Sequence, residues 1–310
     1  MNRRQLLKLA GGATMLAFSP SVMVHKTKWS PTKFKFCLNT STISGQNLGL
    51  KQNIEITAKA GYDGIELWVS DIREFLNEGN SLQSLKKHLT DSGLKVENAI
   101  GFANWLVEEP GEREKGFQNM REDMELMAEI GCKRIAAPPA GVTANKPLDL
   151  KKAGEIFQQL IAMGRNTGVM PQLEFWGASG TLYSLAQAMT IAAEANDPDV
   201  RILADVYHMF RGQSGFESLK MLQGHVLEIF HLNDYVSTIP RDQQNDKDRV
   251  FPGDGVAPLK QILTDLNNSG GLKVLSLELF NQTYWKQNAL WVAQTGLEKM
   301  KKLLDSISSK

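Results

Sequence analysis

The chain has 310 residues, of which 42% are hydrophobic and 22% charged, with a formal net charge of +1. That balance fits a well-buried globular core and provides no whole-molecule field to recruit nucleic acid or an anionic membrane. Its two cysteines, Cys37 and Cys132, argue against a disulfide scaffold, and no CxxC metal or redox motif occurs.

The first stretch, "MNRRQLLKLAGGATMLAFSP", has the layout of an export signal. Arg3 and Arg4 lead, Leu6-Leu7-Lys8 follow, and a short, glycine-containing apolar run reaches Phe18. The paired arginines before "QLLK" resemble a twin-arginine signal. The expectation is therefore export to the periplasm by the twin-arginine machinery, with a membrane anchor if the signal stays uncleaved. The alternative is a basic N-terminal arm. Residues 1–30 are set apart as signal and linker, and residues 31–310 as the folded domain.

From residue 34 onward, short apolar runs alternate with stretches of helical period. "FKFCLNTSTI" (34–43) reads as a strand and "NLGLKQNIEITAKAG" (47–61) as a helix stopped by Gly61. Strand "GIELWV" (64–69) precedes helix "SLQSLKKHLTDSG" (81–93), and strand "KVENAIGF" (95–102) precedes helix 115–131. Strands at 134–140, 170–177, 200–208, 226–235 and 272–281 alternate with helices at 149–168, 181–195, 215–224, 256–270 and 289–307. Eight strand–helix units joined by right-handed crossovers predict an α/β fold, a single (β/α)8 TIM barrel. An open doubly wound sheet would need a Gly-rich turn after an early strand. The compact glycine turn here, "PGDG" (252–255), comes late.

In a barrel the reactive groups stand at the C-terminal strand ends. Strand five ends in Glu174, strand six in Asp205 with His208 beyond, strand seven carries His231 and Asp234, and strand eight ends in Glu278. Burying such groups without partners costs several kcal/mol or more each, roughly, and a divalent cation offsets that cost. Three carboxylates and an imidazole, Glu174, Asp205, His231 and Glu278, suit Mn²⁺, Mg²⁺, Co²⁺ or Zn²⁺. His208 is expected beside the substrate. Asp234 either bonds His231 or positions the following loop. Glu66 and Glu97 read as structural or rim residues, and His88 and His225 as ordinary ones. Trp68, Trp105 and Trp176 either pack on a sugar face or pack their loops.

"LEFW", "LADVYH", "FHLND", "RVFPGDG" and "LSLELF", in that order, with "AGYDGIELW" (60–68), resemble the xylose-isomerase-like barrel superfamily of sugar isomerases and epimerases. The likeness covers about residues 34–305. It implies that Glu174, Asp205, His231 and Glu278 hold the metal, and that Glu174 and Glu278 serve as the acid/base pair. It also implies that His208 and an arginine of the loop after strand seven touch substrate. Arg241 and Arg249 are available there, and Arg249 directly precedes the glycine turn. The three-zinc DNA-repair endonucleases of the superfamily need extra histidines that "GIELW", "GFANW" and "APPAG" lack.

The expected activity is metal-dependent isomerisation or epimerisation, through an enediolate, of a non-phosphorylated keto- or aldo-sugar or polyol. Dehydration of an inosose, or cleavage of keto-glycosides by a lyase or hydrolase, uses the same groups. A non-catalytic sugar-binding barrel is the reading from another class, and it would not need both glutamates. Barrel helices often pair, so a homo-oligomer stays open.

Overall fold

The computed structural model describes residues 33–142 and 146–308. The export-signal expectation for residues 1–30 lies outside the described residues. No helix among the described residues is long and apolar enough to cross a membrane.

Eight parallel strands form the sheet: β1 (Lys33–Asn39), β2 (Gly64–Trp68), β3 (Lys95–Ile100), β4 (Arg134–Ala137), β5 (Met170–Glu174), β6 (Ile202–Asp205), β7 (Ile229–His231) and β8 (Leu272–Leu277). Their order is β3-β2-β1-β8-β7-β6-β5-β4, a nearly closed (β/α)8 barrel. Side chains tie the seam between its two end strands. Arg134 on β4 donates to the Glu97 carbonyl on β3 at 3.1 Å, and Gln172 on β5 donates to Asn98 on β3 at 2.8 Å.

Helices α1 (Gly49–Ala60), α2 (Val69–Asn77), α3 (Leu82–Asp91), α4 (Pro110–Glu129), α5 (Leu150–Thr167), α6 (Leu185–Ala195), α7 (Val206–Arg211), α8 (Leu259–Asn268) and α9 (Ala289–Ser308) occupy the connections. Most follow the apolar periodicity. Ser81 and Ser184 start α3 and α6 with capping boxes, and Gly61 and Gly168 end α1 and α5 in the left-handed region. Several strands end earlier than expected: the first stops at Asn39, where a 3₁₀ helix (Thr40–Gln46) begins, the seventh spans only Ile229–His231, and the eighth stops at Leu277. Helix α2 stands directly after β2, where no element was expected. It exists because Val69, Ile72 and Phe75 bury one face. The sixth strand stops at Asp205 rather than 208. Asp205 caps α7, so His208 is helical. The helix expected at 215–224 is two 3₁₀ segments, Phe216–Met221 and Gly224–Val226.

Strand side chains alternate between the two faces, so inward positions recur every second residue. Cys37, Ala136, Leu203, Ile229 and Val274 pack as a small inner core. Two residues further along, the same inward columns reach Asn39 on β1, Asp205 on β6, His231 on β7 and Ser276 on β8. Thus a dry layer lies beneath a polar one. At the opposite end, Glu97 pairs with Lys35 at 2.6 Å and with Arg134 at 3.5 Å. A register shift in β2–β3 pairs Ile65 with Val96 and Glu66 with Asn98, so Glu97 is the extra residue of a bulge. Glu97 is therefore structural, and it lies away from the C-terminal strand ends where the reactive groups gather.

Candidate active site

Asp205 does two things at once. Its Oδ1 accepts from the His208 backbone N–H at 2.9 Å and so starts α7. Its Oδ2 faces the barrel axis, where it accepts from Asn233 and from Arg249, each at 3.0 Å.

His231 is buried at the end of β7. Its Nε2 lies 3.0 Å from Glu66 Oε2. Its Nδ1 lies 3.1 Å from Glu278 Oε2 and 3.6 Å from Asp205 Oδ2, yet it makes no hydrogen bond. Ligand atoms of Asp205, His231 and Glu278 lie within 4.8 Å of one another, all three residues buried. Metal–ligand bonds of about 2.0–2.2 Å to one shared ion require donors this close together. The buried nitrogen, left over between two carboxylates, fits a divalent cation better than any partner the protein supplies.

Glu66 decides which imidazole nitrogen is free. It is buried and accepts from Asn98 at 2.6 Å, Ser276 at 2.7 Å and Asn39 at 2.8 Å. Burial pushes its carboxyl up, but His231 and the Asn98 and Ser276 hydrogen bonds outweigh that and hold it below its ordinary value. An ionised Glu66 takes the Nε2–H and leaves the Nδ1 lone pair for a cation. Burial pulls His231 down, but the Glu278 and Glu66 carboxylates override it and raise the imidazole well above its ordinary value, so a cation binding Nδ1 must displace a proton there. The sequence alone does not single out Glu66. Its inward parity in "GIELW", in phase with Trp68, was the available signal. Glu66→Gln keeps the shape but weakens this orientation. It should cost about 10–100-fold in affinity for the cation, read by competition with a chelating dye.

Glu174, at the end of β5, is 5% exposed and lines the same cavity, but it does not join the 4.8 Å group. The structure thus gathers three of the four expected ligands and sets the fourth on the cavity wall. Burial pushes the Glu174 carboxyl up to about 8; the Glu278 and Asp205 charges add to this and His231 opposes it. Asn39 donates to Glu278 Oε1 at 3.0 Å and accepts from the Trp68 indole N–H at 2.8 Å, linking the carboxylate to the cavity wall.

Arg249 is fully buried. Its Nη1 donates to Glu278 at 2.7 Å and Asp205 at 3.0 Å, and its Nη2 reaches His208 Nε2 at 3.2 Å and Asp246. Tyr207 and Phe280 stack against the guanidinium at 4.6 and 5.1 Å. Burial holds His208 below its ordinary value, which suits a neutral ring accepting from Arg249. Arg241, the other arginine of this loop, spends its carbonyl on Arg211 and lines no part of the cavity.

Asp234 positions the loop rather than His231. It accepts from the backbone N–H groups of Tyr235, Gly253, Gly255 and Ala257 at 2.8–3.0 Å. Gly255 is obligatory, since a Cβ there would lie 2.2 Å from the Tyr235 carbonyl. Asp234→Ala leaves four donors short of an acceptor. It should destabilise the fold by about 2–4 kcal/mol in urea unfolding and loosen Arg249 with its loop.

The cavity over these groups measures about 580 Å³ and is also lined by Trp68, Trp176 and Phe280. A larger groove of about 980 Å³, between α6 and residues 211–221, contains none of these site groups. Trp105 is buried against Phe157 and donates to the Pro138 carbonyl, so it packs its loop. His88 and His225 approach the Lys51 and Pro198 carbonyls at the surface.

Residues 54–303 match the model of the "Xylose isomerase-like TIM barrel" family. The chain belongs to this family. It is 32% identical to the inosose isomerase of Bacillus velezensis over 275 residues, 85% of this chain and 95% of that protein. Identity to the inosose isomerase of Bacillus subtilis is also 32%, over 84% of this chain and 94% of that one. The crystal structure of the IolI protein with a bound zinc atom superposes with a TM-score of 0.80 at 26% identity, covering 89% of this chain and all of that one. The chain is accordingly an isomerase or epimerase of the xylose isomerase-like barrels.

Proposed function

We propose that this xylose isomerase-like barrel is a divalent-metal-dependent isomerase acting on a non-phosphorylated cyclic keto-polyol of the inosose type. The observation that carries the reading is the His231 Nδ1, buried and unbonded between Asp205 and Glu278. Similarity to the two inosose isomerases and to the zinc-bound IolI supports the same choice. Asp205, His231 and Glu278 would hold the ion, with Glu174 as the fourth expected ligand, and a divalent ion there would supply Lewis-acid polarisation of the substrate carbonyl.

The protein's own groups do the proton chemistry. Glu174 and Glu278 come from β5 and the end of β8 and face one cavity. One carboxylate takes the proton beside the carbonyl, and the other returns a proton. Return to the neighbouring carbon isomerises, return to the opposite face epimerises, and loss of a β-hydroxyl dehydrates. His208 and Arg249 orient the hydroxyls. Trp68 and Trp176 receive the C–H face of the ring. Arg249, the one Arg or Lys among the described lining residues, has its charge matched by Asp205, Glu278 and Asp246, which favours a neutral hydroxyl over a phosphate as its substrate partner.

Incubating the protein with an inosose in D₂O tests this. Deuterium should enter at the carbon beside the carbonyl, read by NMR. No exchange with any inosose, in protein loaded with Mn²⁺, Co²⁺ or Zn²⁺, overturns the reading. Residues 1–30 support a further proposal, twin-arginine export to the periplasm. Replacing Arg3 and Arg4 by lysine should keep the protein in the cytoplasm; unchanged export overturns it.

A further inference from the structure

Among the described residues, three carboxylates line the cavity: Glu174, Asp246 and Glu278. The proton chemistry uses two of them and leaves Asp246 without a task. Neutralising Arg249 does not require it either, because Asp205 and Glu278 already set two negative charges on that guanidinium. Asp246 lies in a short 3₁₀ turn (Asp246–Asp248) of the loop after β7. The loop fixes the turn. Asn245 and Asp248 close it with a capping box, and Gln244 donates to the Val236 and Ile239 carbonyls at 2.7 and 2.8 Å. A side chain held this way is in place before a ligand arrives.

The two oxygens of Asp246 differ. Oδ1 accepts from Arg249 Nη2. Oδ2 has no partner among the described residues, and the side chain is 56% exposed. Partial burial pushes this carboxyl up, but Arg249 and His208 outweigh it and hold it below its ordinary value. An ionised carboxylate only accepts, so a ligand partner for Oδ2 must bring an O–H or N–H. Its place says which group that is. Arg249 Nη1 is bonded to Asp205 and Glu278, the carboxylates of the candidate cation site, and Nη2 is bonded to Asp246. Asp246 therefore stands across the guanidinium from those oxygens. A ring whose carbonyl meets the cation presents to Asp246 a group further round the ring. A hydroxyl there donates; a keto or deoxy carbon has nothing to donate, and a phosphate or carboxylate meets like charge.

We infer that Asp246 is a specificity-determining residue, whose Oδ2 accepts a hydrogen bond from a substrate hydroxyl remote from the reacting carbonyl. It selects a neutral ring that keeps a free hydroxyl at that position. This rests on the isomerase reading above, since it uses the same cavity.

The test is isothermal titration calorimetry of the full-length, metal-loaded protein with scyllo-inosose and its monodeoxy analogues, each lacking one hydroxyl remote from the carbonyl. The wild type should bind one analogue about 10–100-fold more weakly than the parent, the worth of a hydrogen bond to a charged group. In Asp246→Ala that ratio should fall to about threefold or less. Asp246→Asn keeps an acceptor for Arg249 and should lower the ratio to about tenfold or less, through the lost charge alone. Because the side chain is half-exposed, both variants should fold and keep the ion; circular dichroism and elemental analysis check this. Equal binding of all analogues by the wild type, or a ratio undiminished in Asp246→Ala, overturns the inference and leaves Asp246 as a support for Arg249. Deuterium exchange into the inosose is read in the same preparation. Exchange with an undiminished ratio overturns this inference and leaves the isomerase reading. A ratio that collapses in Asp246→Ala without exchange in the wild type overturns the isomerase reading and leaves the Asp246 contact. No binding of the inosose or any analogue overturns both.

Discussion

Glu278→Gln is expected to lower turnover by roughly 10²–10⁴-fold while the barrel stays folded. The amide keeps the volume and can still accept from Asn39, but it can no longer take a proton. It also gives up the negative charge that faces both His231 Nδ1 and Arg249. Removing one partner of a buried ion pair is usually severe, because a charge is left without compensation. Here Arg249 retains Asp205 and Asp246, so the loss of stability should be modest. The measurement is the rate of inosose exchange in D₂O, alongside circular dichroism and thermal unfolding. A folded variant with near wild-type exchange would remove Glu278 from the chemistry.

The second large effect is on the cation itself. Purified protein should carry about one divalent ion per chain by elemental analysis, and Asp205→Asn should lose it. Asparagine is the informative substitution because it is as good an N-cap as aspartate. Asp205→Ala also discards the bond to the His208 N–H and should cost about 1 kcal/mol more. Stripping the ion with a chelator should lower the melting temperature. Binding to the native state alone stabilises by about 2.7 kcal/mol when free ion stands at 100 times its dissociation constant. Wild-type metal content in Asp205→Asn would overturn the ligand set. Failure of the wild type to take up Mn²⁺, Co²⁺ or Zn²⁺ would overturn the metal-dependent route. Arg249 sharpens this test, since its Nη1 draws on the same Asp205 and Glu278 oxygens as the ion.

Much of the architecture was readable from residues 34–308. Strand and helix periods are local properties, and eight alternations with glycine stops leave few topologies. The inward columns were readable too, because strand parity is strict: once a strand is placed, its inward residues follow at every second position. Glu174, Asp205 and His231 are legible because each is the polar group that closes an apolar run, even where the strand itself ends several residues earlier than its run. Strand ends were the weak point. The sixth strand was taken three residues too far because "DVYH" has no glycine or proline to mark the stop, whereas the structure ends it by Asp205 capping α7.

What the sequence determined by itself was the set of groups at the strand ends and the barrel that carries them. What only the tertiary structure decided was how those groups meet. Glu66 and His231 are 165 residues apart, and only barrel closure puts them in contact. The bulge at Glu97 rests on a register between β2 and β3 that neither strand encodes alone. Arg249 lies in an aperiodic loop, which Asp234 holds through backbone N–H groups up to 23 residues away. Three of the four expected ligands converge while Glu174 stands apart, because convergence depends on how β5 to β8 curve around one axis. Periodicity is written residue by residue, but distance across a barrel is set by every strand between.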